Sequence, residues 1–161
     1  MRTNMIRNDH MAITYDVING WTVIEVDGEV DAHTAPLICE AMIKLLDEGH
    51  RHFVLDLSIV PFLDSMGLRM VVAVTKRIRG CGGSLRITCT SSRIIRVFEF
   101  TGLGDAFEFY SSPEEATRRG PLAGGPGRPR GRTSSPAPAT PSANTPTKRD
   151  TPRSKEPRGN L

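Results

Sequence analysis

Between Ile13 and Val17 the apolar residues Ile13, Tyr15 and Val17 alternate with Thr14 and Asp16, the period of a half-buried strand. Asn19-Gly20 follows, and then a second β-rich run from Trp21 to Val26. A type I′ turn needs positive φ at both central residues, so Asn-Gly between two such runs predicts that the chain opens with an antiparallel hairpin. Past Gly28-Glu29-Val30-Asp31 the period changes. Thr34 as a cap and Pro36 in a first turn predict a helix with Ile38, Ala41, Met42, Leu45 and Leu46 on one face, closed by Gly49. The nearly continuous apolar run from His52 to Leu57 predicts an interior strand.

Helical spacing returns from Met66 to Arg79 through Leu68, Val71, Val72, Thr75 and Ile78, and stops at Gly80. Leu85, Ile87 and Cys89 then alternate with Arg86 and Thr88, so strand, helix and strand make a right-handed parallel crossover. Ser91 or Ser92 caps a third helix through Ile94, Ile95 and Phe98, and Gly102-Leu103 fits a Schellman stop. After a short apolar segment at Phe107–Tyr110, Ser112-Pro113-Glu114-Glu115 combines an N1 proline with a capping box and predicts a short last helix. The pattern describes one α/β domain: a mixed sheet opened by an antiparallel hairpin, with about four helices.

Composition adds a boundary. Nine of the 12 prolines lie between residues 121 and 161, where eight basic and two acidic residues give a charge of +6 and leave −3 on residues 1–120. From Gly120 onward there is no Ile, Val, Met, Phe, Tyr or Trp, too little apolar surface to offset the entropy of ordering, so a disordered basic tail is expected. It carries no aromatic residue for stacking on bases, which argues against a nucleic-acid partner. The longest apolar run, Met70–Val74, is far short of the roughly 20 residues a membrane helix needs. No apolar stretch follows the N-terminal arginines, so no secretory signal is read, and a cytoplasmic location is expected. Cys39, Cys81 and Cys89 form no C-x-x-C pair and suggest neither a disulfide framework nor a metal site.

The candidate chemistry sits at Asp64-Ser65-Met66-Gly67, between the interior strand and the second helix, on the side where open α/β sheets place their functional groups. Local sequence permits a purely structural role, in which Asp64 or Ser65 caps the helix and Gly67 lets it pack closely. Five pieces in register say more: Gly28-Glu-Val-Asp31 with Thr34-Ala35; Asp56-Leu-Ser58; Phe62-Leu-Asp-Ser65-x-Gly67-Leu68; Gly82-Gly83-x-Leu85; and Phe100-Thr-Gly-Leu103. Their order and spacing resemble the STAS family of bacterial anti-sigma factor antagonists.

The resemblance, together with the change of composition near residue 120, implies an N-terminal extension at 1–11, a STAS domain at 12–119 and the tail at 120–161. It implies phosphorylation of Ser65 by a partner that is both anti-sigma factor and serine kinase, and resetting by a PP2C-type phosphatase. ATP would be bound by the partner, with no cofactor on this chain and no direct contact with the sigma factor. Asp31, Thr34, Asp64, Ser65, Met66 and Gly67 would form the docking surface. The family motif has a second serine where this chain has Met66, so Ser65 is the only acceptor within it. The closest rival within the family is a scaffold subunit of a signalling assembly without a phosphoserine switch, or a stand-alone lipid or nucleotide sensor. Outside it, a serine hydrolase would need His33 near the serine, and a receiver domain would need Asp27, Asp31 and Asp64 around Mg²⁺. Gly80-Cys-Gly-Gly83 follows a helix and precedes a strand, the wrong order for a phosphate loop, and reads as a turn.

Overall fold

The computed structural model describes residues 1–122, and the expected disordered tail lies, apart from its first three residues, outside the described residues. Three strands open the chain: β1 (Thr3–Arg7), β2 (Met11–Ile18) and β3 (Trp21–Gly28). Helix α1 (Ala35–Asp47), strand β4 (His52–Asp56), helix α2 (Ser65–Gly80) and strand β5 (Ser84–Thr88) follow. Helix α3 (Ser92–Phe100), a 3-10 turn at Gly104–Ala106, strand β6 (Phe109–Tyr110) and helix α4 (Pro113–Thr117) complete it. The six strands lie in sequence order in one mixed sheet, with β1–β2–β3 antiparallel and β3–β4–β5–β6 parallel. The expected hairpin is β2–β3, with Asn19 at φ +51° and Gly20 at φ +81° in the turn.

One strand stands where the sequence indicated only an extension. β1 pairs with β2 across a register break between Asn4 and Ile6, and Met5 and Ile6 pack against the main core. The Asn8 carboxamide oxygen turns the chain back by accepting from the N–H of His10 and Met11 at 2.9 and 2.8 Å. Gly28 makes room for that turn: a Cβ there would lie 2.5 Å from the His10 carbonyl oxygen, and its φ of +131° disfavours any side chain.

Both faces of the central strands are covered, which explains their near-continuous apolar runs. Ile24, Val26, Phe53, Leu55 and Ile87 join α1, α2 and α3 in the main core. Trp21, Val23 and Val54 point the other way and pack with Ala116 of α4. The Schellman stop after α3 is present, with Leu103 N–H donating to Phe98 O at 2.8 Å and Gly102 N–H to Glu99 O at 3.0 Å. The capping box at α4 is displaced: Ser112 Oγ accepts from Glu115 N–H at 3.2 Å, but the Glu115 carboxylate reaches back to the N–H of Ser111 at 3.0 Å.

Candidate functional site

Two loops meet where the parallel strands β3 and β4 end. The first, Glu29–Thr34, is shaped by Asp31, whose Oδ1 accepts from the N–H of His33 at 2.8 Å and of Thr34 at 3.0 Å. Those two backbone donors, His33 first, hold the Asp31 carboxyl below its usual value of 3.8. Thr34 is buried and does not cap α1 with its side chain, contrary to the expectation from sequence. Its hydroxyl donates to Glu29 O at 2.6 Å and accepts from Asp31 N–H at 2.9 Å, so it closes the loop rather than the helix.

The second loop, Leu57–Asp64, leaves β4 through Asp56. That carboxylate is 5% exposed, and its Oδ1 accepts from Ser58 N–H at 3.0 Å and Ser58 Oγ at 2.5 Å. At the far end Asp64, in extended conformation, caps α2 by accepting from the N–H of Met66 and Gly67, both at 2.9 Å. The structure therefore separates two roles that sequence left open. Asp64 is the cap; Ser65 is the first helical residue, exposed, with no hydrogen bond to its hydroxyl among the described residues.

Val30 locks the loops together. It forms a parallel bridge with Leu63, donating its N–H to Phe62 O at 2.9 Å and accepting from Asp64 N–H at 3.1 Å. Asp31 and Asp64 thus each follow a residue of the same backbone bridge, with Ser65 next in the chain, which brings the two stretches of the candidate site side by side. Gly67 is required by this approach: a Cβ there would lie 2.8 Å from Val30 Cγ1, 3.0 Å from Val30 O and 3.1 Å from Leu63 Cγ. Asp31, Thr34, Asp64, Ser65, Met66 and Gly67 form one surface region, with Thr34 and Gly67 as buried supports and Ser65 and Met66 facing out.

Sequence reasoning missed the apolar character of this surface. Ile59, Phe62 and Met66 are 52%, 45% and 43% exposed, three large side chains within eight residues of loop and first helical turn. Exposed apolar residues gathered around polar ones mark interaction sites more often than scattered ones do. The signal was present in Ile59-Val60-Pro61-Phe62-Leu63, a loop unusually rich in apolar residues, of which only Val60 and Leu63 are buried. Among the described residues, no histidine ring bonds to Ser65 and no three or more potential metal ligands cluster together. No helix among them is long and apolar enough to cross a membrane.

Residues 12–116 match the family model described as "STAS domain". The chain is 34% identical over 106 residues to the anti-sigma-B factor antagonist of Bacillus subtilis, covering 65% of this chain and 96% of that protein. A putative anti-sigma factor antagonist of Bordetella bronchiseptica is 31% identical over 106 residues, 66% of this chain and 91% of that one. Among solved structures, an anti-sigma factor antagonist from Mycobacterium paratuberculosis superposes with a TM-score of 0.63 at 26% identity, over 71% of this chain and 97% of its own. The unphosphorylated SpoIIAA antagonist shares the fold, with a TM-score of 0.58 at 23% identity over 66% and 95% of the two chains. With the six-stranded mixed sheet, the paired loops and a family match over more than half its length, this chain belongs to the STAS domain family.

Proposed function

We propose that this protein is an anti-sigma factor antagonist: a binding protein, not an enzyme, that captures an anti-sigma factor and is switched off by phosphorylation of Ser65. The observation that carries the reading is the division of labour at the start of α2. Asp64 performs the capping, so the exposed Ser65 hydroxyl is left without a structural task. The neighbouring Asp31 loop and the exposed Ile59, Phe62 and Met66 supply a mixed polar and apolar docking surface. The names of the relatives support the class of partner, an anti-sigma factor; in this reading that partner is also the serine kinase, and a PP2C-type phosphatase restores the serine.

The switch follows from charge. A phosphate adds roughly −1.5 to −2 charge at pH 7, which the positive end of the helix dipole tolerates, so the modified domain stays folded. At an interface the same dianion must lose water beside Asp31 and Asp64, and each ~1.4 kcal/mol of that cost weakens binding tenfold. The test is a pull-down from native lysate with wild type, Ser65→Ala and Ser65→Asp as baits, reading partners and the state of Ser65 by mass spectrometry. An ATP-binding anti-sigma kinase retained by wild type and Ser65→Ala but lost by Ser65→Asp, with phosphate found on Ser65, is the expected result. Identical partners on all three baits with Ser65 never modified would leave a scaffold subunit instead.

A further inference from the structure

We propose that Arg69 is the internal counter-ion of a phosphate on Ser65, drawing the modified side chain down along α2 instead of leaving it to project from the helix end. The inference rests on the reading of Ser65 as the phosphorylated residue. Ser65 and Arg69 are both exposed and stand four residues apart in α2. Residues at that spacing share one helix face, and Cα–Cβ bonds lean toward the helix N-terminus, so the Arg69 side chain leans over the turn that carries Ser65. An anion placed N-terminal to its cation is the favoured order for such a pair.

The other groups around Ser65 leave this role open. A helix start ordinarily offers an anion its free N–H groups, but here Asp64 Oδ1 has taken those of Met66 and Gly67, and Leu68 N–H donates to Asp64 O at 3.0 Å. Asp31 and Asp64 are anionic and repel a phosphate; His33, the nearest residue of cationic type on the facing loop, is exposed at its rim. Arg69 takes part in no salt bridge among the described residues. Its planar guanidinium is suited to two parallel hydrogen bonds to phosphate oxygens. Pairing would neutralise part of the dianion in the released state.

The test installs phosphoserine at position 65 of the full chain by genetic encoding and follows its second ionisation by phosphorus NMR, in the parent, in Arg69→Gln and in Lys76→Gln. An unpaired phosphoserine titrates near pH 6. The parent is expected to titrate about 0.3 pH units or more below Arg69→Gln, the size an i, i+4 pair implies. Lys76→Gln, which removes an exposed cation two further turns along α2, should titrate with the parent. Equal titrations in the parent and Arg69→Gln, or an equal displacement in Lys76→Gln, would overturn the pairing. Because the phosphate is installed during synthesis, such a result would leave the reading of Ser65 intact, whereas that reading fails on its own if Ser65 is never modified in the lysate.

Discussion

At Gly67 two effects of opposite sign compete. Alanine in a helix gains about 1 kcal/mol of propensity over glycine, but overpacking a closed contact costs about 1–3 kcal/mol. The Cβ would meet a backbone oxygen, Val30 O, at 3.0 Å as well as a side chain, so the steric cost should win. Gly67→Ala is expected to lower stability by roughly 1 kcal/mol in urea denaturation and to weaken partner capture as the loops separate. Asp31 gives a prediction in pH. Its folded-state value lies below 3.8, so its contribution to the loop is present above about pH 4 and is lost as pH falls through the lower folded value. The amide resonances of His33 and Thr34 should move together below about pH 4, and Asp31→Asn should abolish that transition. Local sequence could place Asp64 and Ser65 at a helix start, but not divide their tasks, because either side chain can cap and only the backbone geometry selects one.

Among elements, those with a clean period were legible and those shaped by exceptions were not. Helix α2 was read within a residue of its observed start and end because Leu68, Val71, Thr75 and Ile78 repeat on one face. Strand β1 was missed because its register break puts Met5 and Ile6, adjacent in sequence, both against the core and so removes the alternation that marks a strand. Helix α4 is tied to the sheet by Trp21, which is 2% exposed and donates its indole N–H to Arg119 O at 2.8 Å. The Arg86 guanidinium lies 4.1 Å from that ring and donates to Ala116 O at 2.6 Å. Trp21→Ala is expected to cost about 3–5 kcal/mol in urea denaturation. Trp21 begins β3, while the candidate site follows its end about 25 Å away, so the protein that remains folded should bind its partner normally.

For the molecule as a whole, the sheet acts as a frame that presents two short loops from adjacent parallel strands, and the bridge at Val30 makes those loops one surface. A phosphate on Ser65 would then change the charge of a surface without rearranging the frame beneath it. That surface was half legible in sequence. The polar members, Asp31, Asp64 and Ser65, stood in a recognisable order, whereas exposure of Ile59 and Phe62 depends on tertiary packing that buries Val60 and Leu63 from the same loop. The most direct measurement is the dissociation constant of the full chain for the captured anti-sigma factor, by calorimetry, with unmodified Ser65 and with phosphoserine encoded at that position. The account predicts at least a tenfold weakening on phosphorylation, about 1.4 kcal/mol, with the thermal unfolding midpoint of the free protein little changed. Equal affinities for the two forms would contradict it.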